Sequence, residues 1–102
     1  MTTCIFHRSG ELIDGFDIAG HSGYAEAGSD IVCSAVSTAS HMAMLGIEQV
    51  LGIRCKSHHD AKKGRMRFTA SDPEKAQPFF RALEEELVEI ERQYPEYFRV
   101  VS

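Results

Sequence analysis

Two kinds of sequence meet in the segment GHSGYAEAGSDIVC, residues 20–33. Its first part carries glycines at positions 20, 23 and 28 among small and polar side chains, which is typical of a loop. From Asp30 to Leu51 the residues are mostly small or apolar, and the apolar ones recur at helical spacing. The segment therefore predicts a loop that leads into a long helix, which Ser29 or Asp30 can cap and Gly52 can end.

Alternating apolar residues on either side of this segment predict two β-hairpins. Residues 2–8 and 11–19 flank the turn signal Ser9-Gly10, and Gly15 can mark a bulge in the second strand. We expect Leu12, Phe16 and Ile18 to share one face of that strand. Residues 53–59 and 64–70 form the second hairpin, in which apolar residues alternate with basic ones, so one face is apolar and the other basic.

A second helix is predicted after Ser71-Asp72-Pro73-Glu74, a capping-box spacing with an early proline. Its apolar stripe reaches Tyr94, Pro95 ends it, and residues 97–101 form a last short strand. Pro78 would break regular hydrogen bonding, so the regular helix is expected to start only near it. The predicted order is β-β-α-β-β-α-β over residues 1–102, an α+β single-domain sandwich with a largely antiparallel sheet of about five short strands and two helices.

Composition limits the classes of protein that fit. The chain has 102 residues and a net charge of −4, which argues against direct nucleic-acid binding. No window approaches about 18 uninterrupted apolar residues, so a membrane span is not expected. The N-terminus lacks a basic region followed by an apolar stretch, which favours the cytoplasm. Three widely spaced cysteines, an odd number, indicate reduced thiols rather than a disulfide framework.

Cys33 falls in the first turn of the predicted first helix. Free backbone N–H groups and the helix dipole stabilise a thiolate there, and the same N–H groups can stabilise an oxyanion. His21 ends the preceding strand, and the loop can bring it beside Cys33, where a histidine would accept the thiol proton. Spacing alone leaves open the other reading, in which Cys33 is a small buried apolar residue.

The run from Gly20 to Ser37 closely resembles the signature of the bacterial ribosomal-processing cysteine protease family, Prp. That signature has a Gly-His-Ala-like start, a glycine-containing loop and an Asp-Ile-Val-Cys-Ala-Ala-Val-Ser core. The likeness extends along nearly the whole chain and includes Tyr94-Pro95-Glu96-Tyr97 near its end. Ser22 and Ser34 depart from the pattern, because alanine is usual at both positions.

The resemblance implies that Cys33 is the nucleophile and His21 the general base of a homodimeric endopeptidase. It further implies that the enzyme removes a short N-terminal extension from large-subunit ribosomal protein number twenty-seven, cutting after a pair of phenylalanines. No cofactor or metal is expected. The first helix has Glu48 as its single ionised residue inside the helix, so a second helix or a second subunit is expected to cover part of it.

Several further residues are candidates for supporting roles. Asp30 either caps the helix or orients His21 as a third catalytic residue. Ser37 lies four residues after Cys33 and shares its helix face, where it either hydrogen-bonds within the site or only packs. The loop residues Gly23, Tyr24 and Gly28 form the expected substrate-binding loop, which can act as a lid. Met42 and Met44 can line an apolar pocket for the substrate or belong to the core.

Two further patterns carry weaker alternatives. His58-His59-Asp60, with Cys55 and His41, could suggest a metal site, but their spacing matches no standard zinc pattern. In addition, adjacent histidines on a strand point to opposite faces. The basic hairpin 54–67 is most simply a solvated sheet face. It also supports an alternative function, a non-catalytic ribosome-associated binding module in which this hairpin makes the contacts.

Overall fold

The computed structural model describes residues 1–20, 30–60, 62 and 64–102, and for Asp30 only the backbone. The strands are β1 (Thr2–Ser9), β2 (Leu12–Ala19), β3 (Cys55–Asp60), β4 (Arg65–Ala70) and β5 (Phe98–Val101), and the helices are α1 (Asp30–Leu45) and α2 (Pro73–Gln93). A π-helical segment, Gly46–Val50, continues α1. The predicted order of strands and helices is confirmed, and the π-helical segment is an addition to it.

The five strands form one sheet in the order β3-β4-β2-β1-β5. All neighbouring pairs are antiparallel except β1 and β5, which are parallel. Both helices pack on the same face of this sheet, because its alternate side chains join theirs in one hydrophobic core. The predicted α+β architecture is therefore correct, and the opposite face of the sheet is not covered by either helix.

A bulge near the start of β2 sets which of its side chains enter the core. His7 pairs with Gly15, but Arg8 pairs with Ile13, so Asp14 is an extra residue opposite the regular strand β1. The expectation that Leu12 shares the inner face is wrong, because the bulge reverses the alternation and buries Ile13 instead. The bulge expected at Gly15 is confirmed. A Cβ at Gly15 would overlap the carbonyl oxygen of Phe68, so β4 can approach β2 this closely only at glycine.

Four phenylalanine rings occupy the centre of the core. The Phe16 ring centroid lies 6.0 Å from that of Phe6, 5.6 Å from that of Phe68 and 6.4 Å from that of Phe80. Phe68 and Phe80 also meet, at 6.2 Å. Each such pair adds about 0.5–1.5 kcal/mol beyond the area that it buries. Phe16 thereby joins three strands to α2 through contacts between inward-facing side chains.

Helix α2 runs through Pro78 rather than starting near it, which corrects the sequence-based expectation. The side chain of Asp72 accepts a hydrogen bond from the Lys75 backbone N–H at 3.4 Å, so the cap at Ser71-Asp72-Pro73 begins the helix. A proline at position 78 removes the bond to the carbonyl of Glu74, one turn earlier. Both Glu74 and Pro78 are exposed, so water can satisfy that carbonyl, and the helix continues unbroken.

Helix α1 is only partly covered by the other residues that the structure describes. Val32, Val36, Ala43 and Ile47 are buried against the sheet and α2. Gly46 lets the ring of Phe79 approach, since a Cβ there would overlap that ring. Met42, by contrast, is 70 % exposed. Residues Ile31–Val50 are long and apolar enough to cross a membrane by length and composition alone, a property that the core helix of a globular protein can share.

The uncovered face of the sheet carries a buried carboxylate among cationic side chains. Asp17 is only 6 % exposed, and its carboxylate accepts hydrogen bonds from the Arg67 Nε at 3.1 Å to each oxygen. The His7 Nε2 lies 2.8 Å from it and the Arg65 Nε 3.7 Å. Burial on its own would raise the pKa of Asp17, but the hydrogen bonds and charges of Arg67 and His7 outweigh it and lower that pKa.

The burial pattern of α2 gives a matched test of the core. Leu87 is 0 % exposed and its neighbour Val88 is 46 % exposed. We expect Leu87→Ala to lower the free energy of unfolding by about 2–5 kcal/mol, through lost burial and the cavity left behind. Val88→Ala should change it by no more than about 0.5 kcal/mol. Urea unfolding followed by circular dichroism measures both, and equal losses in the two variants would contradict this packing of α2.

Candidate active site

Cys33 lies in the first turn of α1, the fourth residue of the helix. Its side chain is half-buried and lines a cavity of about 170 Å³. The backbone N–H groups of residues 30–32 have no acceptor within the helix, since each would need a carbonyl four residues earlier. The thiol is thus placed at the positive end of the helix dipole, beside backbone donors and an open cavity.

The residue that directly follows β2 also lines this cavity. Gly20 lines the cavity, and its backbone N–H donates to the carbonyl of Gly64 at 3.1 Å. Its φ is +95°, and a Cβ at this position would overlap the carbonyl oxygen of Met1. Only glycine fits here for both reasons. The chain therefore leaves the sheet at a fixed point on the cavity wall.

The sequence-predicted site residues are distributed as follows. Cys33 and Ser37 line the same cavity, and the choice between a hydrogen bond from Ser37 within the site and simple packing stays a prediction. His21, Gly23, Tyr24 and Gly28 lie outside the described residues. Asp30 is the first residue of α1, and its side chain is likewise outside the described part. The contact between Cys33 and His21, and the choice between the two roles of Asp30, stay predictions.

The cavity contains residues that the sequence did not single out. They come from the ends of four strands and from α1: Thr2, Ile18, Val36, His59, Gly64, Arg65 and Met66. Alternation along β2 and β4 could have placed Ile18 and Met66 on the helix-facing side, where they pair across the strands. No sequence signal shows that the β3–β4 hairpin ends beside β2, because that depends on strand order.

The walls of the cavity combine apolar and polar groups. Ile18, Val36 and Met66 provide apolar surface, and His59 and Arg65 add polar groups. The hydroxyl of Thr2 is buried and has no hydrogen-bond partner within the part of the chain that the structure describes. Met42 and Met44, which were candidates for a substrate pocket, line two other cavities instead.

The other two cysteines lie in surroundings that suppress the thiolate. Burial, and then the charges of Asp17 and Glu84, raises the pKa of Cys4 to about 12. Burial also raises the pKa of Cys55, with a smaller effect of Glu48, and its thiol donates to the carbonyl of Ile53 at 3.3 Å. Both are free thiols, as is Cys33. The interpretation of Cys4 and Cys55 as structural residues agrees with these surroundings.

Metal ligation has no support in the described residues. Among them, no group of three or more His, Cys, Asp or Glu side chains is close enough to hold a metal ion. His58 and His59 occupy successive positions on β3, and they pair with Arg67 and Met66 on opposite faces of the sheet. Cys33 itself places a thiol at a helix N-terminus on the described cavity.

Comparisons with solved structures agree with this fold. The ribosomal processing protease Prp from S. aureus, in complex with a covalently linked product peptide, has 23% sequence identity and a TM-score of 0.89. The match covers 99% of this chain and 98% of that chain. SMU.848 from Streptococcus mutans has 25% identity and a TM-score of 0.88, covering 99% and 96%. At such identities the similarity establishes the common fold.

The same S. aureus protease in complex with a substrate peptide has 22% identity and a TM-score of 0.85, covering 98% of this chain and 97% of that chain. A search of curated proteins gave no match. The family model described as "Cysteine protease Prp" matches residues 1–99. The match includes the whole of the segment from Gly20 to Cys33 and every helix, so the chain belongs to the cysteine protease family Prp.

Proposed function

We propose that this cysteine protease removes a short N-terminal extension from bacterial large-subunit ribosomal protein number twenty-seven, cutting after a Phe-Phe pair, in the cytoplasm. The observation that carries the proposal is the position of Cys33, at the N-terminus of α1 on a cavity whose walls include apolar side chains. Ile18, Val36 and Met66 offer the kind of surface that a phenylalanine side chain buries. The S. aureus relative is described as a ribosomal processing protease.

Cys33 and His21 carry the chemistry in this proposal. His21 follows Gly20, which lines the thiol cavity, directly in the chain. His21 accepts the proton of the Cys33 thiol, and the thiolate attacks the scissile carbonyl carbon. Free N–H groups at the start of α1 stabilise the oxyanion that forms. The C–N bond then breaks, the amine leaves with the proton from His21, and water hydrolyses the thioester.

The loop that joins these two groups is proposed to bind the substrate. Its sequence includes Gly23, Gly28 and one aromatic residue, Tyr24. Asp30, at the start of α1, either caps the helix or orients His21, and Ser37 lies one turn from the thiol along the cavity wall. A substrate segment in the cavity would then be held between α1, the strand ends and the loop.

Cleavage of a synthetic precursor tests the proposed activity. We expect the wild-type protein to cut a peptide carrying the ribosomal extension after its Phe-Phe pair. Cys33→Ala and His21→Ala should each lower kcat/KM by at least about 10³-fold, because each removes a member of one catalytic unit. Mass spectrometry of the products measures both the rate and the position of the cut.

The matched control for this experiment is Cys55→Ala. It removes a thiol that does not line the cavity of Cys33, so this variant should keep full activity. Circular dichroism should show that each variant is folded. If the folded wild-type protein leaves the precursor peptide intact, the substrate assignment is wrong. If Cys33→Ala still cuts at the wild-type rate, the nucleophile is another residue.

Alkylation tests the reactivity of Cys33 without any substrate. We expect iodoacetamide to modify Cys33 before Cys4, since Cys4 is fully buried and its pKa is about 12. It should also modify Cys33 before Cys55, whose pKa is raised by burial. Peptide mapping after timed quenching gives the three rates. Faster modification of Cys55 than of Cys33 at neutral pH would show that Cys33 is not the activated thiol.

We also propose that the protein is a homodimer formed through the exposed face of α1. Ile31, Met42 and Leu45 are exposed by 52%, 70% and 44%. They lie at positions i, i+11 and i+14, within about 60° on the helix surface at 3.6 residues per turn. Such an apolar helix face is typical of a surface that a partner covers, and its small neighbours Ser34 and Thr38 allow close approach.

Sedimentation at micromolar concentration tests the dimer and its interface together. We expect wild-type protein and Met42→Leu to sediment as dimers, because leucine keeps the apolar contact. Met42→Glu should sediment as a monomer, since the dimer would have to bury its charge. A monomeric wild-type protein would contradict the dimer, and a dimeric Met42→Glu would contradict this face as the interface.

A further inference from the structure

The charges of the described residues are divided between the two sides of the sheet. Helix α2 carries Glu84, Glu85, Glu86, Glu89 and Glu91 on the side where the helices lie. On the uncovered face, six basic residues share the outward positions of the strands: His7, Lys56, His58, Arg65, Arg67 and Arg99. The acidic residues at those outward positions are Asp17 and Asp60. The net charge of −4 therefore does not describe this face.

We propose that the uncovered face of the sheet binds RNA through its phosphodiester backbone, with the arginines around Asp17 at the centre of the contact. This binding is a further property of the chain beside peptide cleavage. It does not depend on the proposed protease substrate, because none of the six basic residues has a role in the chemistry at Cys33.

Asp17 holds an arginine in a conformation suited to phosphate. Arg67 donates to both Asp17 oxygens through Nε, at 3.1 Å each, so its two terminal Nη groups are not used in these bonds. Those groups form the fork that binds phosphate oxygens in pairs. Because Asp17 already restricts the side chain, less conformational entropy is lost when a phosphate binds. Arg65 lies beside it, with Nε 3.7 Å from the same carboxylate.

A polar cavity adjoins these arginines. It measures about 220 Å³ and is lined by His58, Asp60, Arg65 and Arg67. Arg65 also lines the cavity of Cys33, so the basic face begins at the edge of the thiol site. An RNA bound on this face would therefore lie next to the active site.

The shape of the basic face favours RNA over a compact anion. Lys56 on the edge strand β3 and Arg99 on the opposite edge strand β5 are four strand spacings apart, about 19 Å at 4.8 Å per spacing. A single phosphate cannot reach both, whereas a nucleic-acid strand carries a phosphate at each nucleotide. No described outward position of the five strands holds Phe, Tyr or Trp, so bases have no ring on which to stack. We therefore expect the protein to bind RNA regardless of its nucleotide sequence.

Fluorescence anisotropy of a labelled single-stranded RNA of mixed sequence, measured against salt concentration, tests the proposal. We expect the wild-type protein to bind at low salt, with log K falling linearly with log salt. The double variant Lys56→Ala/Arg99→Ala should reduce that slope by about 1.4, at about 0.7 for each lost phosphate contact. Arg67→Lys should weaken binding because it keeps the charge and loses the fork.

The matched control is Arg81→Ala, which removes one charge from exposed α2 on the other side of the sheet and should leave the slope unchanged. Cleavage of the short precursor peptide should stay at the wild-type rate in Lys56→Ala/Arg99→Ala, which separates RNA binding from the proposed protease activity. No binding by wild-type protein at low salt, or an equal loss in Arg81→Ala, would overturn the proposal. Equal displacement of RNA by poly-glutamate at matched charge would identify an acidic protein as the partner instead and would also overturn it.

Discussion

The rest of the structure depends on the position of Phe16 in the core. Its ring meets Phe6, Phe68 and Phe80, so it fixes the register of β2 against β1 and β4 and holds α2 over the sheet. A slip of one residue would exchange the faces of every side chain in β2. With Phe16 inward, Ile18 must also point inward and reach the thiol cavity, and Asp17 must point to the uncovered face.

Close backbone approaches permit this register. Gly15 lies where any side chain would overlap β4, and Gly20 lies where any side chain would overlap Met1. The first keeps β2 and β4 close enough to pair beside Phe16, and the second fixes the point at which the chain leaves the sheet. Gly20 lines the cavity of Cys33, and His21 is the next residue in the chain. The packing of the sheet therefore fixes the point from which His21 continues.

The sequence predicts the fold well, because the helix and strand signals in it are local. Helical spacing after Asp30, the capping box before Pro73 and alternation in both hairpins each depend on neighbours in the chain. The errors arise where tertiary contacts decide. Leu12 is replaced in the core by Ile13, since a bulge reverses the alternation, and α2 accepts Pro78 because the freed carbonyl of Glu74 lies in solvent. His59 and Arg65 at the thiol cavity depend on strand order, which alternation along single strands does not specify.

Because successive side chains of β2 point to opposite faces of the sheet, this strand contributes both to the thiol cavity and to the charged uncovered face. The inward residues Phe16 and Ile18 of β2 contribute to the core and to the cavity of Cys33. Asp17, which lies between them in the chain, points to the uncovered face and contacts His7 and Arg67 there. A buried carboxylate without partners would cost several kcal/mol, so Asp17 can be retained only while basic side chains surround it. Those side chains make the face basic although the chain as a whole is acidic. The net charge of the chain is consequently a poor guide to what each surface binds. It adds the acidic residues of α2 to the basic residues of the uncovered face, although the sheet lies between them.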